Sequence, residues 1–140
     1  MNVMEEVYVI GHLNPDTDTV VSAIAMAQLL NFKNDVDKYI PARTGELNTE
    51  TEFVLNKFEI KVPTLLSDAT DKKLFLVDHT EPSQIVEGAE RESIVGVIDH
   101  HNIDIQTSRP IEVTVRPWGS TATIIYQEYV NLDIEIPERL

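Results

Sequence analysis

The apolar residues of this chain fall into short runs, and several of those runs stop abruptly in charge. Val7 to Ile10 is rich in β-branched residues, as a buried strand should be. It gives way to Gly11-His12-Leu13-Asn14-Pro15-Asp16-Thr17-Asp18-Thr19, and then to an Ala/Leu/Ile/Met-rich stretch, Val20 to Leu30, that predicts a helix. Lys38 to Ala42 predicts a second short strand. Asn48 is placed to cap a helix over Thr49 to Phe58, with Phe53, Val54 and Phe58 spaced as one apolar face. Ile60 to Asp71 reads as a connection broken by Pro63. A third strand, Lys73 to Val77, ends in Asp78-His79-Thr80-Glu81-Pro82, and Pro82 suits the first turn of a short helix, Pro82 to Ala89. Ser93 to Ile98 is the fourth apolar run and ends in Asp99-His100-His101. Ile111 to Val115 alternates with period two, the mark of an edge or half-exposed strand. Arg116 to Ser120 turns the chain into a last helix, Thr121 to Asn131, and Asp133 to Pro137 reads as a linker.

Apolar strands alternating with helices predict an α/β fold: a mostly parallel sheet covered by helices on both faces. The 140 residues are enough for one domain with a real core, and 42% hydrophobic with 25% charged residues is the composition of a globular chain. No internal repeat or low-complexity tract interrupts it.

Charge narrows the partners. The net charge is −13, with acids spread rather than clustered, a surface that repels nucleic acid and anionic membranes. There is no long apolar segment and no basic leader followed by a signal-type core, so the chain reads as cytoplasmic. Cysteine is absent. Any metal must therefore use imidazole, carboxylate, backbone or water.

Those ligand types are concentrated where three strands end. His12, Asp16 and Asp18 follow the first strand, Asp78 and His79 the third, and Asp99, His100 and His101 the fourth; all four histidines of the chain lie in these clusters. Asp or Thr at a helix start is also a preferred cap, so Thr19 or Asp18 alone could be no more than that. Two acids and an imidazole at one strand end exceed what a cap requires. In a parallel sheet all carboxyl ends share an edge, where the clusters converge and where α/β folds place their ligands. Mixed imidazole and carboxylate donors suit Mn²⁺, Co²⁺, Zn²⁺ or Fe²⁺ better than Ca²⁺ or Mg²⁺ alone. A bridging carboxylate would make a two-ion centre about 3.5–4 Å across, the equipment for hydrolysing a phosphate ester or anhydride. Gly119-Ser120-Thr121 is either an anion cradle at a helix start or an ordinary N-cap.

Taken together, GHLNPDTDT, Asp78-His79 after LFLV, Asp99-His100-His101 after VGVI and the later RPWGSTATII resemble the DHH phosphoesterase superfamily. The wording Asn14-Pro15-Asp16-Thr17-Asp18 is similar to that of the family II, manganese-dependent inorganic pyrophosphatases. The resemblance covers nearly the whole chain. It implies two Mn²⁺ ions, with Co²⁺ or Mg²⁺ as substitutes: His12 and Asp16 would hold one, Asp18 and His100 the other, with Asp78 bridging. It implies that His101 contacts pyrophosphate and assists proton transfer and that Asp99 orients the histidines; the cradle reading of Gly119-Ser120-Thr121 puts Ser120 on the substrate side. Thr80 departs from the family, which commonly has Asn there. The resemblance further implies that residues 1–140 are an N-terminal domain. The family's fourth metal-binding Asp and its phosphate-gripping C-terminal domain have no counterpart in the sequence, so little turnover is expected of this piece. It implies a homodimer through a sheet edge, for which the strand near Ile111 is the candidate. Competing readings are another DHH enzyme, acting on polyphosphate or on short or cyclic oligonucleotides, and a non-catalytic metal-binding module.

Overall fold

The computed structural model of the chain describes residues 5–136. Six strands form one sheet: β1 (Glu6–Ile10), β2 (Lys38–Arg43), β3 (Thr64–Leu65), β4 (Lys73–Val77), β5 (Ile94–Asp99) and β6 (Glu112–Val115). Every pairing is parallel, and the spatial order is β3-β2-β1-β4-β5-β6. The chain thus runs outward from β1 to one edge and then, from β4, outward to the other. The crevice between β1 and β4 is the topological switch point, where an open α/β sheet offers its natural ligand site.

Three helices accompany the sheet: α1 (Thr17–Lys33), α2 (Thr49–Lys57) and α3 (Thr121–Asn131). Period-two alternation divides the strand side chains between two apolar layers. Val7, Val9, Phe75, Val77 and Ile98 meet α1 and α3 through Ala23, Met26, Leu29, Ile124, Ile125 and Tyr129. Ile10, Leu74, Leu76, Ile94 and Val97 face the other way and are closed over by Leu66, Ala69 and Val86 from connecting segments. Each fully buried Leu, Ile or Val contributes about 1.5–3 kcal/mol. The β4–β5 register slips between Leu74 and Phe75, and the Phe75 ring fills the space a Cβ on Gly96 would need.

Four local expectations are revised. The connection Ile60 to Asp71 contains the two-residue strand β3. The helix expected over Pro82 to Ala89 is only a 3₁₀ turn, Pro82–Gln84, because the following residues are drawn onto the sheet. Val86 is buried there, the Glu87 carbonyl accepts the Ala69 N–H at 2.7 Å, and Gly88 takes a left-handed φ of 87° against Asp68 and Thr70. The alternation of strands and helices consequently lapses between β4 and β5. In α2 the buried residues are Thr51 and Leu55, not Phe53 and Phe58, which are exposed. Thr51 meets Thr17 at the start of α1 at 3.0 Å, and that contact sets the inward face. The linker expected at Asp133 to Pro137 lies partly outside the described residues; Ile134 and Ile136 pack against the α1/α3 layer.

Candidate metal centre

Each cluster is delivered by the end of a strand. After β1, Gly11 is required: a Cβ there would lie 2.0 Å from Thr19 Cγ2, so only glycine lets the start of α1 close over the strand end. The N-cap of α1 is Asp16, whose Oδ1 accepts the Thr19 N–H at 2.9 Å, rather than Thr19 or Asp18. After β4, Asp78 adopts a left-handed φ of 65°, a conformation that costs a non-glycine residue about 1–2 kcal/mol. Its amide is held by the Ile98 carbonyl at 2.9 Å. Asp99 is the last residue of β5, and His100 and His101 follow it.

Asp78 is the centre of the assembly and is 2% exposed. Its Oδ2 lies 3.3 Å from His12 Nε2, and its Oδ1 lies 3.1 Å from His100 Nε2. Asp16 Oδ2 stands 3.6 Å from His12 Nε2, and Asp18 Oδ2 stands 3.8 Å from His100 Nε2. His12, Asp16 and Asp78 offer ligand atoms within 4.8 Å of one another, as do Asp78, Asp99, His100 and His101. The histidines are oriented alike. His12 Nδ1 lies 2.7 Å from the Leu13 carbonyl and His100 Nδ1 lies 3.0 Å from the Trp118 carbonyl. A carbonyl only accepts, so both Nδ1 atoms carry hydrogen and both Nε2 atoms are turned to the carboxylates, the orientation that metal-bound imidazoles require. This donor set fits a transition-metal dication.

A hydrogen bond to Asp78 outweighs partial burial and pushes the His12 imidazole up to about 9, so that a proton on Nε2 and a bound cation would compete for the same position. Burial works against ionisation of Asp78, but hydrogen bonds from His12 and Thr19, with Asp18 alongside, hold its carboxyl well below the usual range. Burial, reinforced by the Asp78 charge, pushes the Asp18 carboxyl up, opposed by amide hydrogen bonds from Ala122 and Thr121 at the start of α3.

The remaining predicted residues divide. Asp99 is fully buried, and its Oδ1 accepts the His100 and His101 amides and faces His101 Nδ1 at 2.7 Å, while its Oδ2 is buried without a partner among the described residues. His101 is half-exposed. A cavity of about 250 Å³ beside it is lined by His12, Asp78, Thr80, Gln84 and Asn102, with no Lys or Arg among the described residues of its wall. Ser120 caps α3 by accepting the Thr123 N–H. With the Thr121 and Ala122 amides taken by Asp18, that helix start is already filled by the protein's own carboxylate. His79 belongs to neither ligand group: burial lowers its imidazole to about 4, and Nδ1 bonds the Val77 carbonyl at 2.8 Å. Sequence reasoning placed Thr19 only as a cap and Thr121 only in an anion cradle, and it missed their hydroxyl bonds to Asp78 and the Trp118 carbonyl.

Residues 6–139 match the DHH family, N-terminal domain. Similar curated proteins include manganese-dependent inorganic pyrophosphatases of Methanothrix thermoacetophila, 48% identical over 89% of this chain, and of Methanocaldococcus jannaschii, 44% identical over 92%. The crystal structure of a Methanococcus jannaschii protein assigned to the family II inorganic pyrophosphatases superposes with a TM-score of 0.80 at 41% identity, over 91% of this chain. The chain spans about 40% of the length of each of these relatives.

Proposed function

The chain belongs to the DHH family, and on that premise we propose that it is the metal-binding part of a cytoplasmic, manganese-dependent inorganic pyrophosphatase. The observation that carries this reading is the placement of the two Asp78 oxygens, each beside the Nε2 of a different histidine. His12, Asp16 and Asp78 would hold one Mn²⁺, and Asp18, His100 and Asp78 the second. Bound there, two dications polarise phosphoryl oxygens and lower the pKa of a bound water toward ~7. Pyrophosphate enters the cavity beside His101, whose described wall residues include no Lys or Arg, so bound ions would supply the attraction that a net charge of −13 denies. Water forms the new P–O bond as the bridging P–O bond breaks. Asp99 fixes hydrogen on His101 Nδ1, which leaves the Nε2 lone pair to take the proton that the attacking water sheds and to pass it to the departing phosphate.

This reading assigns the phosphate-gripping Lys and Arg residues to the share of the relatives' length that the chain does not span, and expects the 140-residue chain to bind Mn²⁺ with little turnover. A second copy is assigned to the free edge of β6, where Val113 is exposed. Calorimetric titration with Mn²⁺ tests the centre: two ions per chain are expected, and none would end the proposal. Phosphate release from pyrophosphate tests the chemistry: whatever release the chain supports is expected to be lost in His12→Ala and Asp78→Ala, and measurable release shared equally by all three would remove it. A preference for polyphosphate or a dinucleotide over pyrophosphate would move the assignment to another DHH enzyme.

A further inference from the structure

We propose that Thr19 and Thr121 are paired positioning residues that hold Asp78 in the bridging mode and so set the two-ion occupancy of the centre; this rests on the reading of Asp78 given above. Both threonines are buried, at 1% and 0% exposure, and both sit in the first turn of a helix, α1 for Thr19 and α3 for Thr121. Each uses the same two groups in the same way. The Thr19 hydroxyl donates to Asp78 Oδ2 at 2.6 Å while its amide donates to Asp16 at 2.9 Å. The Thr121 hydroxyl donates to Asp78 Oδ1 at 3.1 Å while its amide donates to Asp18 at 3.1 Å. One threonine therefore serves each pocket, binding that pocket's own aspartate through the backbone and its share of Asp78 through the side chain.

A buried hydroxyl must find an acceptor, but in a helix it normally finds one nearby, on its own backbone. These two instead reach across the fold, 59 and 43 residues along the chain, to opposite oxygens of a single carboxylate. The chemical consequence follows from lone pairs. Each carboxylate oxygen has two; the threonine takes one, and the other is left facing that oxygen's own histidine. With both oxygens pinned, the carboxylate is held from rotating to chelate one ion with both atoms, and the bridge is formed before either ion arrives.

The test uses the whole chain and Mn²⁺ alone. Thr19→Val and Thr121→Val remove the hydroxyl with little change in shape; Thr19→Ser and Thr121→Ser keep it. Electron paramagnetic resonance distinguishes an exchange-coupled manganese pair from isolated ions, and calorimetry gives the affinity of each step. Each valine variant is expected to lose the coupled signal and to weaken one ion by about 10–100-fold, with the serine variants within about threefold of the wild type. Valine variants that keep a coupled spectrum and near-wild-type affinities overturn the inference while the two-ion reading stands. A wild-type chain with no coupled pair overturns that reading itself. Should a valine variant not fold by circular dichroism, Thr→Ala at the same position gives the measurement, and a position where neither replacement folds marks the hydroxyl as structural and overturns the inference there.

Discussion

On one side of Asp78 stand His12, Asp16 and Thr19, all within one strand-to-helix turn; on the other stand Asp18, His100 and Thr121, with Asp18 bonding an amide 103 residues away. The two pockets have the same parts: an imidazole fixed by a backbone carbonyl, an aspartate fixed by helix-start amides, one oxygen of a shared carboxylate, and a threonine. They differ in what must be folded before those parts meet. The first needs the Gly11 turn, the cap of α1 and β4. The second needs β4 and β5 in register and α3 docked against α1, because α3 brings the amides that hold Asp18. Equal chemistry thus sits on unequal foundations, and the pocket assembled from distant segments is the one that loosening of the fold reaches first.

The largest expected effect removes both pockets together. Asp78→Asn keeps the shape but takes away the shared anion, and is expected to weaken Mn²⁺ binding by roughly 100-fold or more at both steps in a calorimetric titration. Loss of only one ion would show that the pockets are independent and that Asp78 does not bridge.

Protons separate the pockets next. With its imidazole raised to about 9, His12 is protonated at neutral pH and must release that proton to take an ion. Affinity at the first pocket is expected to rise about tenfold per pH unit up to that value, with close to one proton released per ion in buffers of different ionisation enthalpy. The metal-free chain moves the opposite way. Because the folded pKa lies above the ordinary 6.5, the His12–Asp78 interaction stabilises fully below that value and fades as pH rises through about 9. Metal binding that is flat over this range would contradict the charge assignment.

A finer contrast replaces the flanking acids. Asp16→Ala removes the first pocket's ligand and the cap of α1, costing about 1 kcal/mol of stability, with the second ion retained. Asp18→Ala is expected to spare the α1 cap and release the second ion, while leaving the Thr121 and Ala122 amides of α3 without their acceptor. Melting curves with and without Mn²⁺ read both. Identical losses would erase the distinction between the pockets.

The same contrast explains what the sequence made legible. The first pocket is written in consecutive letters, and a Gly-His…Asp…Asp turn between an apolar strand and an Ala-rich helix is visible without knowing any long-range contact. Asp78 and Asp99-His100-His101 are visible too, because buried parallel strands read as continuous apolar runs that charge can end only at the sheet's edge. Thr19 and Thr121 were hidden because a threonine in the first turn of a helix has the look of a cap, and nothing local says that its hydroxyl points across the sheet. Phe53 and Phe58 misled in the same way: their spacing suits an inward face, but α2 is nine residues long and is anchored by Thr51 and Leu55. Local pattern names the element; which face turns inward is decided by the neighbour.

The smallest effect is the sharpest test of unequal foundations, because it touches neither pocket. Tyr129 on α3 is 2% exposed and donates its hydroxyl to the Ala25 carbonyl of α1 at 2.8 Å, and burial pushes its phenol up to about 12. The neutral phenol is the form the fold accepts. Its contribution, about 3 kcal/mol at most, is therefore complete below the unfolded value near 10 and disappears as pH climbs through about 12. Tyr129→Phe loses only the hydrogen bond, about 1 kcal/mol, and should flatten that alkaline loss in a series of urea melts. Since the bond ties α3 to α1, the same substitution is expected to weaken the second Mn²⁺ by about fivefold at most and leave the first unchanged. Equal weakening of both ions would mean that α3 and the Gly11 turn respond as one body, and that the two pockets share their foundations after all.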